Sequence, residues 1–251
     1  MPRVIDLHAH TVCSDGTETP AELVAAAAAA GVDVIAITDH DSTGGWQEAR
    51  EASEGTAVTV LPGIELSTQL DYASVHILGY LVDPHNRALV DEMARTREER
   101  FGRAEAMVRR IAADYDVSWD DVLAQTAVGA TIGRPHIADA LVAKGIVPDR
   151  SAAFASVLHW RGGYYRPHRA PDHLFDDARI RSLVDAGLAG IEVDHRDNPP
   201  VARERWAAVA ERYDLIRTGS SDYHGDGKPN RLAENTTSEE QFQRLLATAR
   251  S

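Results

Sequence analysis

Two histidines two residues apart open the chain, in Asp6-Leu7-His8-Ala9-His10, and Ser14-Asp15-Gly16 follows. Side chains alternate along an extended strand, so His8 and His10 point the same way. With Asp15 folding back toward them, they make half of a metal site. The same donor types recur downstream. His40 stands in Thr38-Asp39-His40-Asp41, and Glu65 in Pro62-Gly63-Ile64-Glu65. His76 opens His76-Ile77-Leu78-Gly79-Tyr80, and Asp222 and His224 share Ser221-Asp222-Tyr223-His224. Each fragment alone has an ordinary reading: an accidental His-x-His, a capping turn, a salt bridge. Their joint occurrence does not, because burying this many ionisable groups without a cation is very costly. Imidazole and carboxylate donors without thiolate suit Zn, Mn or Fe(II), and three imidazoles suffice for one catalytic zinc. This supply of ligands implies two or three divalent metal ions.

Such donors must be brought together by the elements between them. Apolar, β-branched runs over 4–8, 32–38, 58–61 and 75–81 predict strands, with helices over 21–30 and 46–53. This rhythm predicts βα units and a largely parallel sheet. Active sites of such sheets and barrels lie at the carboxyl ends of the strands, where most of the donors stand. From 87 to 154 only helical signals occur: a long amphipathic helix over 87–113, then helices near 119–125, 135–144 and 150–158. They predict a helical cap at 84–165, inserted between barrel segments 1–83 and 166–251. The βα rhythm returns with a helix over 176–186, a strand over 190–193, a helix over 200–212, a strand over 215–219 and a helix over 238–250. The cap arginines (Arg95, Arg97, Arg100, Arg103, Arg109 and Arg110) alternate with Glu98, Glu99 and Glu105. That pattern reads as a solvated, ion-paired face before it reads as a polynucleotide track.

At 251 residues and 43% apolar content, the chain fits one barrel-sized domain with an insertion. A net charge of −13 speaks against a grip on duplex DNA. A small phosphorylated substrate stays compatible, because bound divalent ions reverse the local sign. Cys13 is the only cysteine, which excludes an internal disulfide and points to a reducing, cytoplasmic compartment. We read it as a small buried residue and not as a ligand. There is no leader and no apolar run long enough to span a membrane, so no membrane partner is expected.

These motifs, with Gly133-Arg134-Pro135-His136 in the helical insertion, resemble those of the PHP (polymerase and histidinol phosphatase) family. The likeness covers nearly the whole chain. It is strongest to the stand-alone phosphoesterases acting on nucleoside 5′-monophosphates and 3′,5′-bisphosphates. It implies an α/β fold, a distorted (β/α)7-type PHP barrel with a trinuclear centre. His8, His10, Glu65 and Asp222 would hold the first metal. Glu65, bridging, and His76 would hold the second. Asp15, His40 and His224 would hold the third. The implied reaction is phosphomonoester hydrolysis by in-line attack of a hydroxide bridging two metals. The resemblance also favours Arg134 and His136 as a phosphate site, at a helix start opened by Pro135. His195, in Glu192-Val193-Asp194-His195, would face the substrate or supply a proton.

One family element has no counterpart. An Ala-His-Pro strand normally precedes the strand at 190–193, and its histidine completes the second metal. Here only Tyr164-Tyr165-Arg166-Pro167-His168-Arg169-Ala170-Pro171-Asp172-His173 intervenes. The barrel therefore reads as lacking one βα unit, with His168 or His173 as substitutes for the lost ligand. Two alternatives stand beside the nucleotide phosphatase. One is a 5′-to-3′ exonuclease on short RNA or DNA; the other is a metal-binding module without turnover.

Overall fold

In the computed structural model, which describes residues 2–70, 73–165 and 176–249, six strands form two sheets. β1 (Ile5–Asp6), β2 (Val34–Ile37), β3 (Thr59–Leu70) and β4 (Ala73–Tyr80) lie side by side in that order. β1 to β3 are parallel, and β4 returns antiparallel to β3. β5 (Gly190–Asp194) and β6 (Ile216–Gly219) form a parallel pair. After Asp6 the chain crosses to this second pair. Ala9 bridges Tyr223, His10 N donates to Tyr223 O at 2.8 Å, and Ser221 N donates to the Asp6 carboxylate at 2.9 Å. The sheets thus curl into a partial α/β barrel. The place of the family's missing strand, with His168 and His173, lies outside the described residues.

β2 shows why the apolar run there is unbroken. Ile35 and Ile37 pack with Leu23, Val24 and Ala27 of α1 (Pro20–Ala29) and with Ala49 of α2 (Trp46–Ser53). Val34 and Ala36 face the other way, onto Leu7, Ile216 and the Phe242 and Leu245 side chains of α9 (Glu239–Thr248). A strand covered on both faces must be apolar at every position. α1 starts at Thr19, whose hydroxyl accepts from Glu22 N while Glu22 accepts from Thr19 N, a reciprocal cap.

Two expectations need correction. β3 does not stop at Leu61 before a loop carrying Glu65. It runs to Leu70 as the first arm of an antiparallel hairpin, so Glu65 is a mid-strand residue and no helix separates β3 from β4. Pro62 is tolerated because it is the last residue paired with β2, where β3 changes partner to β4. Gly63 allows that change: a Cβ there would fall 2.8 Å from Thr38 Cγ2. The first strand is also shorter than 4–8. Regular pairing ends at Asp6, because His8–Ala9–His10 is given over to the junction with Tyr223.

In chain order between β4 and β5 come α3 (Arg87–Ile111), α4 (Trp119–Ala124), α5 (Arg134–Ala143) and α6 (Arg150–Ala155). They bury Met107, Ile111, Val122, Ile137 and Leu141 in a core of their own. Arg100 ties α3 to the barrel, donating to Ser67 Oγ at 2.7 Å and to Ile132 O at 3.3 Å. Arg95 pairs with Glu92 and Glu99, and Arg110 donates to Tyr164 O, so these arginines are engaged within the fold. α7 (Asp177–Asp185) precedes β5, and α8 (Pro200–Arg212) links β5 to β6 and packs against both. Among the described residues no helix is long and apolar enough to cross a membrane. Ile35 is fully buried. Replacing it with alanine should lower unfolding free energy by about 2–5 kcal/mol in urea denaturation; a loss below about 1 kcal/mol would contradict the two-faced packing of β2.

Candidate metal centre

The donors converge because three chain segments meet where β1, β2 and β6 end. The extended His8-Ala9-His10 segment lies against Asp222-Tyr223-His224 through the Ala9–Tyr223 bridge, and the His10 and His224 rings stack at 4.1 Å. Asp222 has φ of 53°, a left-handed conformation that side chains other than glycine adopt rarely and at a cost. His40 and Glu65 are clasped backbone to backbone: Asp41 N donates to Glu65 O at 3.0 Å and Glu65 N to Asp39 O at 3.3 Å. Glu65 therefore enters the cluster from the hairpin, beside His76 of β4.

Four donor atoms crowd one point. His8 Nε2 and His10 Nε2 are 3.1 Å apart. Glu65 Oε2 lies 3.2 Å from the first and 3.0 Å from the second. Asp222 Oδ1 lies 3.4 Å from each. Ligands about 2.0–2.1 Å from a tetrahedral ion stand about 3.3 Å from one another. These five separations therefore suit a shared cation. Hydrogen bonds to the carboxylates leave the 3.1 Å approach of the two imidazole nitrogens unexplained, since two N–H groups that both donate to carboxylates would face each other there.

Two further groups adjoin it. Asp15 Oδ1 is 3.2 Å from His224 Nε2 and 3.6 Å from His10 Nδ1. Glu65 lies 3.2 Å from His40 Nδ1 and contacts His76 Nδ1. Within each of the three sets His8–His10–Glu65, His10–Asp15–His224 and His40–Glu65–His76, the ligand atoms lie within 4.8 Å of one another. His40 thus stands between the second and third expected sets: its Nδ1 faces Glu65, while its Nε2 is 3.7 Å from Asp15.

The electrostatics match a centre built around positive charge. Burial pushes Asp15, Glu65 and Asp222 toward neutrality, yet the surrounding histidines hold all three well below the usual carboxylate range. Burial likewise opposes charge on His10, but hydrogen bonds to Asp222 and Glu65 raise it to about 9. His40 and His224 are pushed down by burial. His40 Nδ1 and His224 Nε2 are buried without a hydrogen-bond partner, although each lies 3.2 Å from a carboxylate oxygen. Such groups need an explanation, and a metal ion supplies one. Cys13 stays outside the cluster, half-buried, with its thiol pushed up by burial.

Several residues that hold the donors escape a search for ligand types. Glu192 receives His8 Nδ1 at 3.2 Å and Ser220 Oγ, fixing that imidazole from behind. The signal was its alternation with Asp194, which points away and pairs with Arg217. Asp39, fully buried, accepts from Thr11 N, Thr11 Oγ1 and Ser14 Oγ at 2.8, 2.7 and 2.6 Å, and so shapes the loop carrying Asp15. Lys228 donates to Asp222 Oδ2 at 2.6 Å. His195 Nε2 lies 3.5 Å from the same oxygen, which raises its pKa through that contact.

A cavity of about 990 Å³ opens over the cluster, lined by His8, His40, His76, His195 and Lys228 among others. Arg134 and His136 do not line it. Arg134 stacks over Tyr165 at 4.2 Å and Phe154 at 5.4 Å, and buried His136 accepts from Gly133 N at 3.1 Å, capping its own helix. His85 is exposed, and His159 accepts from Arg161 N.

Several known proteins resemble this chain in sequence and fold. The model of the PHP domain matches residues 6–143. A phosphoribosyl 1,2-cyclic phosphate 1,2-diphosphodiesterase of Eggerthella lenta is 32% identical over 88% of this chain and 94% of its own. A 3′,5′-nucleoside bisphosphate phosphatase of Chromobacterium violaceum is 31% identical over 90% and 89%. The 5′-3′ exoribonuclease Rnm of Escherichia coli is 32% identical over 88% and 85%. A solved structure from Bifidobacterium adolescentis, described as a candidate metal-dependent phosphoesterase, superposes with a TM-score of 0.92 at 41% identity, covering 99% of this chain and 98% of that one. By the family match and by these relatives, the chain belongs to the PHP domain family of phosphoesterases.

Proposed function

We propose that this chain hydrolyses phosphomonoesters of nucleotides, nucleoside 5′-monophosphates or 3′,5′-bisphosphates, at a centre of two or three divalent ions. The observation that carries this reading is the set of five separations of 3.0–3.4 Å among His8, His10, Glu65 and Asp222. Asp15, His40, His76 and His224 complete the ligand shell, and the nitrogen and carboxylate donors fit Mn, Zn or Fe. When bound, such ions lower the pKa of water and neutralise phosphoryl oxygens.

The protein's own groups do the rest by position. Phosphoryl transfer asks for placement and charge stabilisation more than covalent help. The cavity admits the phosphate over the cluster, and His195, at its wall, offers an imidazole to the leaving oxygen. The helical segment 84–165 acts as a cap, and Arg134 at its α5 start supplies a guanidinium for a second phosphate or the far end of the nucleotide. The exoribonuclease relative keeps a second reading open, 5′-to-3′ trimming of short RNA. The internal engagement of Arg95, Arg97, Arg100 and Arg110 weighs against an extended nucleic-acid track on α3.

Phosphate release from a panel of nucleoside monophosphates, bisphosphates, cyclic phosphates and short oligonucleotides tests this directly. We expect turnover of mono- and bisphosphates, abolished by chelation and restored by Mn, Zn or Fe. A metal-loaded protein inactive on every phosphomonoester would contradict the reading, and processive release of mononucleotides from RNA would favour the exonuclease. Glu192 accepts from His8 Nδ1 and orients that imidazole, so Glu192→Gln should weaken metal affinity about 10–100-fold; unchanged affinity in a chelator competition would remove it from that role.

A further inference from the structure

We propose that Lys228 is a ligand of the substrate phosphate and that it biases the centre toward phosphomonoesters over phosphodiesters. This rests on the phosphoesterase reading above. It starts from the way Asp222 divides its oxygens. Oδ1 faces His8 and His10 at 3.4 Å, whereas Oδ2 turns outward to Lys228 Nζ at 2.6 Å and His195 Nε2 at 3.5 Å. The ammonium therefore sits beside the donor cluster without entering it. Its side chain is 39% exposed and lines the same cavity as His8, His40 and His76, while Asp222 is 9% exposed. An ammonium carries three N–H donors. Among the described residues one of them is given to Asp222, and the cavity is where the others are available.

The lysine is preset by its loop. Asn230 Nδ2 donates to Ser221 O at 2.7 Å, and Pro229 O accepts from Arg196 at 3.0 Å. Before it, Gly227 lies against Arg150, where a Cβ would fall 2.1 Å from Nη1. Arg150 is itself fixed, bidentate to Asp139 at 2.5 and 2.6 Å and donating to Asp15 O at 2.9 Å. The same arginine thus anchors the Asp15 loop and the Lys228 loop, so little ordering is left for binding to require. A monoester presents a third non-bridging oxygen and more negative charge than a diester. A fixed cation outside the ligand shell is placed to engage that extra oxygen. A lysine serving only to neutralise Asp222 would affect metal retention and leave phosphate affinity alone.

Lys228→Met in the full, metal-loaded chain separates these roles. Metal content by mass spectrometry, inorganic phosphate binding by calorimetry, and kcat/KM on a nucleoside 5′-monophosphate and on its methyl diester are compared with wild type. We expect metal content and circular dichroism to hold. Phosphate affinity should weaken about 10–100-fold, and the monoester-to-diester ratio should fall by a similar factor. Lys228→Arg should restore part of both. Unchanged phosphate affinity in Lys228→Met, or loss of metal as its main effect, would overturn the proposal. A wild type that binds phosphate through Lys228 yet hydrolyses no phosphoester would instead count against the phosphoesterase reading.

Discussion

Three carboxylates, Asp15, Glu65 and Asp222, lie at 3–6% exposure within one cluster, and that burial governs the rest of the structure. Ionised groups withdrawn from water must be compensated locally. Five histidines surround them, but two of these, His40 and His224, are held down by burial and carry no compensating charge. The balance closes with divalent cations. It also explains why the donors are so heavily tied: Glu192 and Ser220 hold His8, Ser14 and Asp39 hold His10, and Lys228 pairs with the outward oxygen of Asp222. A donor free to swing would satisfy itself elsewhere.

The scaffold supplies rigidity at the points where these ties begin. β2 is packed on both faces, which fixes the height from which His40 leaves the sheet. The Ala9–Tyr223 bridge joins two sheets far apart in sequence and places His10 on His224. The β3–β4 hairpin delivers Glu65 and His76 from a different direction, so the donor side chains gather from several elements and not from one strand end. Arg100 and Arg150 tie the helical segment to Ser67 of β3 and to the Asp15 loop, so that segment and the centre share anchors.

Much of this was legible in the chain. The alternation of His8 with His10 and of Asp222 with His224, and the apolar runs before His8, His40 and Asp222, follow from strand geometry alone. The helices were legible to within a few residues, because caps such as Thr19 and Ser118 are local signals. The path of β3 was not. Pro62-Gly63 reads as a terminator, and only the pairing of Gly63–Leu70 with β4 shows that the strand continues past it. Asp39 and Lys228 were equally hidden, because a carboxylate behind a donor or a lysine beside one carries no spacing rule and becomes visible only once distant segments are placed; for Glu192 the only signal was its alternation with Asp194. Arg134 and His136 were marked by the motif, and the fold engages them with Tyr165 and Gly133, outside the lining of the cavity over the donors.

The central claim is that the buried histidines and carboxylates exist to hold metal. The most direct measurement is the number of divalent ions per chain, by mass spectrometry of protein purified without chelator, in wild type and in His10→Ala. Two or three ions per chain, with at least one lost from a still folded His10→Ala variant, is the expected result. A folded wild-type chain that takes up no Mn, Zn or Fe would contradict it.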